Sequence, residues 1–221
     1  MAANRVETTT DKSLDRKHEI YRKALDLFMK QGYDATSMSE IAATSGLRKA
    51  NLYYYTSSKE NLLYEIHLDF LQKHFNPILA EAEQLRDPQE QLEFLLRKFT
   101  LMSTHSPASQ TLVHEMRSLT KSHQGEILAI WRKGYDLARG AIEKLAKPGE
   151  RGRYRPSFLT FLGVGMAFWT IYWWDYSRPD NAEELAETLI QTFLYGLVGT
   201  PKGKIECSDP SELIRGENTT S

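Results

Sequence analysis

Cationic, amide and phenolic side chains are concentrated in one short stretch of the chain, residues 48–55. Arginine and lysine donate to phosphate oxygens, asparagine pairs with base edges, and tyrosine donates to phosphates or packs on sugars. Together these groups could hold a DNA duplex by its backbone and reach the bases in a groove. The set comprises Arg48, Lys49, Asn51, Tyr53, Tyr54 and Tyr55.

The residues around this stretch predict two short helices that cross at a sharp angle. Ser37 and Glu40 have the spacing of a capping box, which begins a helix. Ile41 and Leu52 are the apolar positions expected to face the core, and Gly46 lies where the turn needs a positive φ. We therefore predict a helix-turn-helix whose second helix enters the major groove. A plain helical bundle with a solvated polar face is the alternative, but three adjacent exposed tyrosines disfavour it.

This spacing resembles the N-terminal domain of TetR-type (tetracycline-repressor-like) regulators over residues 16–65. The family usually has Gly, His and Phe where this chain has Ala50, Tyr55 and Thr56. The matching residues are Ile20, Ala24, Leu27, Phe28, Gly32, Tyr33, Thr36, Ser37, Ile41, Ala42, Gly46, Leu52, Tyr53, Tyr54, Ser58, Lys59, Glu60, Leu62 and Leu63.

The resemblance implies a role in DNA contact for each matching polar position. Thr36, Ser37 and Lys59 are expected to hold phosphates, while the second helix approaches bases and backbone. The residues assigned to DNA are Thr36, Ser37, Arg48, Lys49, Asn51, Tyr53, Tyr54, Tyr55 and Lys59.

Start and stop signals along the chain predict an all-α protein of about nine helices, with no strand-like alternation. A first helix is predicted from Leu14, and Ser57 and Glu60 have the spacing of a second capping box, which begins another helix. The pair Asp87–Pro88 has the pattern of an N-cap followed by proline. We expect a helix-turn-helix DNA-binding domain at 1–60 with a flexible arm at 1–12. A helical ligand-binding and dimerisation domain would follow at 61–200, and a flexible tail at 201–221.

Large apolar side chains crowd the second domain, which indicates either ordinary core or the lining of a cavity. Gly163 and Gly165 lie beside large rings, a pattern that suits a close helix approach or an apolar cavity equally. The resemblance implies that this domain binds a small hydrophobic effector. The residues assigned to the effector are Phe99, Met102, Met116, Arg117, Trp131, Tyr135, Phe161, Trp169 and Trp173.

Leu185, Leu189, Phe193 and Leu197 recur at steps of four near the end of the chain. Such a stripe needs a partner surface, and the resemblance implies that the last two helices pair with their two-fold copy. We therefore expect a homodimer. The alternative is that the stripe packs only within its own chain.

The stretches 114–119 and 131–135 resemble regulators of fatty-acid, steroid or aromatic-acid catabolism, some of which sense acyl-CoA thioesters. Arg117 could neutralise a phosphate or carboxylate of such a ligand. A structural polar cluster explains Arg117 equally well.

Composition and the missing motifs exclude several other classes. A net charge of −1 confines any DNA contact to a local patch, and a single cysteine rules out a disulfide framework and suits the cytoplasm. The six histidines form no metal-binding pair, and no catalytic motif is present, so we expect neither an enzyme nor a cofactor. The apolar segment from Phe158 to Trp174 raises a membrane-tether alternative, but its length favours a core helix.

Together these features predict a sequence-specific DNA-binding transcriptional regulator. We expect a dimeric repressor that binds a palindromic double-stranded DNA operator and is released by a hydrophobic small-molecule effector. The alternative is a small-molecule-binding helical protein whose helix-turn-helix fold does not read DNA. Binding to the protein's own upstream DNA, titrated against salt, distinguishes the two.

Overall fold

Every regular element is a helix in the part of the chain that the computed structural model describes, residues 3–145, 155–177 and 181–198. Side chains are described for 13–145, 155–177 and 181–195. The predicted tail at 201–221 and the side chain of Leu197 lie outside these residues. The helices are α1 (Ala3–Gln31), α2 (Met38–Thr44), α3 (Lys49–Tyr55), α4 (Lys59–Phe70), α5 (Asn76–Ala82), α6 (Pro88–His105), α7 (Pro107–Glu115), α8 (Lys121–Leu145), α9 (Pro156–Trp173) and α10 (Ala182–Val198).

A π-helical turn, Leu71–Phe75, joins α4 to α5 without a break, and a 3₁₀ turn, Met116–Ser118, follows α7. Because α4, the π turn and α5 are continuous, the ten described segments form nine helical rods. The prediction of an all-α protein with about nine helices is therefore confirmed.

Local signals explain where most helices begin. Ser37 caps α2 with the full capping box, and Asp87 caps α6 by accepting from the N–H groups of Gln89 and Glu90. Ser106 caps α7 in the same way. The turns after α1 and α2 contain Gly32 at φ 85° and Gly46 at φ 65°, conformations that a side chain disfavours.

Two predicted starts are wrong. The first helix begins at Ala3 rather than Leu14, because no proline or glycine interrupts the chain there, so residues 3–12 continue α1 instead of forming an arm. Helix α4 is capped by Ser58 rather than Ser57, and Ser58 accepts from the N–H of Asn61 at 3.0 Å. Glu60, expected in the capping box, instead accepts from the N–H of Thr120 at 2.8 Å.

We call α1–α3 the reader and α4–α10 the sensor. The reader is held together by buried apolar side chains from all three helices, including Ile20, Phe28, Ile41 and Leu52, and they pack on α4 through Leu63. Burying a side chain of this size contributes roughly 1.5–3 kcal/mol.

Helix α6 lies at the centre of the sensor, where it packs against α5, α7, α8, α9 and α10. Helix α9 buries one stripe, which includes Gly163, Ala167 and Ile171, and exposes the opposite side. Among the described helices, α9 included, none has both the length and the apolar composition needed to span a bilayer.

Candidate DNA-binding surface and effector pocket

Helix α3 buries Leu52, half-buries Tyr55 and turns its other side chains outward. Arg48, Lys49 and Asn51 are exposed, and Tyr53 and Tyr54 expose 47% and 84% of their surface. Tyr55 is half-buried and packs edge-on to Tyr54 with ring centroids 5.3 Å apart. The short helix therefore presents a row of hydrogen-bond donors and phenol rings on the outside of the reader.

The turn between α2 and α3 is fixed from both sides. The N–H of Leu47 donates to the carbonyl of Ala42 at 2.8 Å, which closes the turn around Gly46. The guanidinium of Arg16 on α1 donates to the carbonyl of Ser45 at 2.6 Å. These bonds set the direction of α3, so its outward face is held before any partner arrives.

Thr36 and Ser37 take part in the local structure at the start of α2. Thr36 is buried, and its hydroxyl donates to the carbonyl of Gly32 at 2.8 Å. Ser37 is exposed and accepts from the N–H of Glu40 at 3.2 Å. The backbone hydrogen bond from Ser37, 2.7 Å long, lowers the pKa of the Glu40 carboxyl below its usual value. The family resemblance assigned both residues to phosphate, but the Thr36 hydroxyl is occupied within the protein.

Lys59, assigned to a phosphate, is also engaged within the protein. Its ammonium donates to the carbonyls of Tyr33 and Thr36, each at 2.8 Å, and lies 4.2 Å from the centre of the Tyr33 ring. The carbonyl of Asp34 lies 3.4 Å away. Lys59 therefore fastens the start of α4 to the loop that leads into α2.

A small apolar space lies inside the sensor, enclosed by α4, the π turn, α6, α7, α8 and α9. We call it the inner pocket. Its volume is about 20 Å³. Its walls include the aromatic rings of Phe70, Trp131 and Phe168 and the thioethers of Met102 and Met116. Neighbouring rings pack against each other around it, and Trp131 and Phe168 meet edge to face with ring centroids 4.8 Å apart.

Two polar atoms at the inner pocket have no hydrogen-bond partner within the described chain, Nε2 of His67 and Oγ of Ser103. Both residues are buried. Burial lowers the pKa of His67 to about 4, so its ring is neutral at pH 7. Neither His67 nor Ser103 is among the residues that the sequence predicts for the effector. His67 lies one turn after the buried Leu63 on α4, and Ser103 lies one turn after the buried Phe99 on α6. This spacing was the sequence signal that both side chains face the core.

The residues assigned to the effector separate into two groups. Met102, Met116 and Trp131 line the inner pocket, and Phe99 packs beside it, 5.9 Å from the ring of Phe168. Tyr135 donates its hydroxyl to the carbonyl of Ser157 at 3.0 Å, which ties α8 to α9.

The other residues predicted for the effector lie outside the inner pocket. Arg117 is exposed on the 3₁₀ turn. Phe161, Trp169 and Trp173 expose 73%, 62% and 75% of their surface. They cannot share a cavity with Phe99, because α9 turns them away from α6.

These three rings instead form an exposed apolar groove of about 860 Å³ along α9 and α10. We call it the α9–α10 face. Leu185 and Leu189, predicted for the dimer, also line it. Phe193 is buried, since its ring packs onto Gly163, where an added Cβ would lie 2.9 Å from the ring. Gly163 therefore serves the close helix approach and not a cavity.

An open cleft of about 880 Å³ separates α1 from the sensor. Its walls carry the cations Arg22, Lys73 and Lys98 and the carboxylates of Glu19 and Asp69. Asp69 pairs with Lys73 at 2.8 Å. We call this space the basic cleft.

Within the described residues, no group of three or more histidine, cysteine or acidic side chains is arranged to hold a metal ion.

Comparison with known proteins identifies the family. Residues 20–66 match the model for bacterial regulatory proteins of the tetR family, and residues 85–197 match that for the tetracyclin repressor-like C-terminal domain. The HTH-type transcriptional repressor KstR2 of Mycolicibacterium smegmatis is 21% identical over 193 residues, which are 86% of this chain and 94% of that protein.

Two solved structures have the same fold over four-fifths of the chain. A TetR family transcriptional regulator, PfmR from Thermus thermophilus, superposes with a TM-score of 0.72 at 28% identity, covering 80% of this chain and 98% of PfmR. AibR in complex with isovaleryl coenzyme A and operator DNA gives a TM-score of 0.70 at 27% identity, covering 80% of this chain and 97% of AibR.

A helix-turn-helix reader packed on a helical sensor defines a one-component transcriptional regulator. The chain belongs to the TetR family of bacterial regulatory proteins. This is a family of DNA-binding regulators and not of enzymes.

Proposed function

We propose that this protein represses transcription by binding a palindromic operator as a homodimer, and that an acyl-CoA thioester releases it. The observation that carries the DNA-binding part is the orientation of α3. One side chain of this helix, Leu52, anchors it, while Arg48, Lys49, Asn51 and Tyr54 face outward. Because an operator lies in the bacterial cytoplasm, we place the protein there.

The operator follows from the symmetry of a homodimer. Two copies of α3 enter successive major grooves about 34–36 Å apart, so the operator repeats its half-site in inverted orientation. Asn51 and Arg48 are the side chains suited to base edges, while Lys49 and the phenols suit phosphates.

The α9–α10 face supports the homodimer. Monomeric soluble proteins rarely expose a contiguous apolar groove with rings as prominent as Trp169 and Trp173. A second copy placed about a two-fold axis covers the groove with the same side chains.

Two features support an acyl-CoA thioester as the effector. AibR, whose fold this chain shares, has been crystallised with isovaleryl coenzyme A and operator DNA. In this chain the apolar inner pocket adjoins the basic cleft, because Phe70, Met102 and Ser109 line both spaces. An acyl group suits the first space and the phosphates of a coenzyme suit the second.

Helix α4 provides the link between effector and operator. Lys59 at its start holds the loop before α2, and His67, about 12 Å further along the axis, lines the inner pocket. Lys17 of α1 also pairs with Glu65 of α4 at 3.1 Å. An effector that enlarges the pocket displaces α4, and the reader moves with it. Operator affinity then falls by the ratio of the effector's affinities for the two states.

Fluorescence anisotropy of labelled DNA from upstream of the protein's own gene tests operator binding. We expect saturable binding that an unrelated duplex of equal length does not match. Arg48→Ala should weaken it at least about fivefold, since a base-edge contact contributes about 1–3 kcal/mol. Lys144→Ala, which removes an exposed cation at the end of α8, is the control and should bind as the wild type does.

The effector is tested by adding isovaleryl-CoA and octanoyl-CoA to the preformed complex. Release of the DNA by either thioester, with no release by free coenzyme A, is the expected result. Equal affinity for the upstream and unrelated duplexes would contradict operator recognition. Failure of both thioesters to bind would contradict the effector assignment alone.

A further inference from the structure

The inner pocket contains an unusual pair of polar atoms in apolar surroundings. Nε2 of His67 and Oγ of Ser103 lie among aromatic, thioether and aliphatic side chains, and neither pairs with another described group. Ser109, the third polar residue at the pocket, donates its hydroxyl to the carbonyl of Met102 at 2.9 Å. A buried polar atom without a partner costs about 1–3 kcal/mol. A ligand that pairs with both atoms recovers that energy and gains specificity from it.

The surroundings determine which ligand group suits the two atoms. His67 is neutral at pH 7, so its Nε2 offers either an N–H or a lone pair, depending on the tautomer, and Ser103 offers a hydroxyl that can donate or accept. Among the described residues, no lysine or arginine lines the inner pocket, and the cations Lys73 and Lys98 line the basic cleft instead. A carboxylate at this depth would therefore be a buried charge without a partner cation, which is strongly unfavourable. An uncharged oxygen fits.

We propose that His67 and Ser103 together recognise the carbonyl oxygen of the bound acyl group, whose hydrocarbon part fills the inner pocket. Nε2 of His67, as the protonated nitrogen of its tautomer, and Oγ of Ser103 each donate a hydrogen bond to this oxygen. This inference rests on the proposed acyl-thioester effector and assigns the two residues that select its carbonyl.

The pocket must enlarge to accept the ligand, since about 20 Å³ suits little more than one water molecule. Its wall contains the side chains best suited to repacking, the unbranched thioethers of Met102 and Met116. The π turn begins at the same wall with Leu71. Displacing Phe70 and Met102 opens the pocket into the basic cleft, so the anionic remainder of the ligand lies beside Lys73 and Arg22.

The test compares two ligands that differ in one oxygen, octanoyl-CoA and the thioether S-octyl-CoA. Calorimetric titration of the full-length wild type should show that the thioester binds about tenfold more tightly. Ser103→Ala and His67→Phe should each bring the two affinities together, chiefly by weakening the thioester. Thr104→Val is the matched control, because Thr104 does not line the pocket. Its hydroxyl donates to the carbonyl of Thr100 over a distance of 3.0 Å. This variant should retain the preference.

Each outcome decides between two conclusions. Equal binding of thioester and thioether by the wild type, or a preference that survives in both variants, overturns the carbonyl assignment. If His67 and Ser103 only hold a bridging water and take no part in ligand binding, the wild type likewise binds the thioester and the thioether equally. If both compounds release the operator equally, the effector function stands and the inference fails. If the wild type prefers the thioester but binds no operator, the inference stands and the proposed regulation fails. If neither compound binds, the inference and the effector assignment fail, while operator recognition stands.

Discussion

Lys49 and Lys59 have different surroundings, although the family resemblance assigns both to DNA. Lys49 is exposed on the first turn of α3. Lys59 directs its ammonium to the carbonyls of Tyr33 and Thr36. The first is free to neutralise a phosphate, while we expect the second to act on DNA through the loop that it holds.

The salt dependence of operator binding separates these two roles. Each neutralised phosphate contributes about 0.9 to the slope of log affinity against log salt concentration. Lys49→Met should lower the slope by about one contact and leave the melting temperature unchanged. Lys59→Met should lower the melting temperature and the affinity but keep the slope. A slope reduced in Lys59→Met as well would show that Lys59 does reach a phosphate.

A second prediction at the residue scale concerns how His67 changes the free energy of unfolding with pH. Burial holds its folded-state pKa at about 4, against 6.5 for the unfolded chain, so between these values the unfolded state binds more protons. The free energy of unfolding should therefore fall as the pH is lowered from 6.5 to 4, by about 3 kcal/mol from this residue. Urea unfolding of the wild type and His67→Phe across that range measures the difference. Parallel stability curves for the two proteins would contradict it.

At the scale of the helices, the sequence predicts what local chemistry controls. The capping box of Ser37 and the positive φ of Gly46 depend on a few neighbouring residues, so α2, α3 and the turn between them follow from the sequence. The start of α4 was misplaced by one residue because Glu60 has a partner 60 positions away.

The effector pocket was harder to predict because a helical period shows which residues share a face but not what that face meets. Trp169 and Trp173 do share a face of α9, yet it is exposed and lies away from the inner pocket. His67 and Ser103 were missed for the complementary reason. Their surroundings come from helices distant in the sequence, α8 and α9.

Substitutions at two glycines of α8, Gly134 and Gly140, test the helix packing in the sensor. A Cβ on Gly134 would lie 2.7 Å from Cζ of Phe75 and 3.1 Å from Cζ of Phe99, whereas a Cβ on Gly140 meets nothing within 4 Å. Gly134→Ala should destabilise the protein by about 1–3 kcal/mol through overpacking. Gly140→Ala should stabilise it by up to about 1 kcal/mol through helix propensity. Urea unfolding measures both, and equal stability of the two variants would contradict the close approach of α8 to the Phe75 ring.

At the scale of the whole molecule, DNA binding depends on how the two readers are spaced. The reader lies on α4 and the α9–α10 face belongs to the far end of the chain, so the spacing is set by the sensor that joins them. A ligand in the inner pocket lies between these two parts, because its walls come from both α4 and α9. In the proposed mechanism the effector controls operator affinity by changing the spacing of two readers, which requires a dimer.

The α9–α10 face makes this requirement testable. Trp173→Glu places a charge on an apolar surface that pairs with its copy, so both subunits lose the contact at once. A central tryptophan contributes at least about 2 kcal/mol, so the dimer dissociation constant should rise roughly thirtyfold or more.

Leu128→Glu is the matched control, since Leu128 is an exposed apolar residue of α8 outside this groove. Analytical ultracentrifugation should find Leu128→Glu dimeric and Trp173→Glu largely monomeric with unchanged helical content. Operator affinity should fall in the monomeric variant alone, because a single reader contacts only one half-site. A Trp173→Glu protein that remains dimeric at the same concentration would place the two-fold contact on another surface.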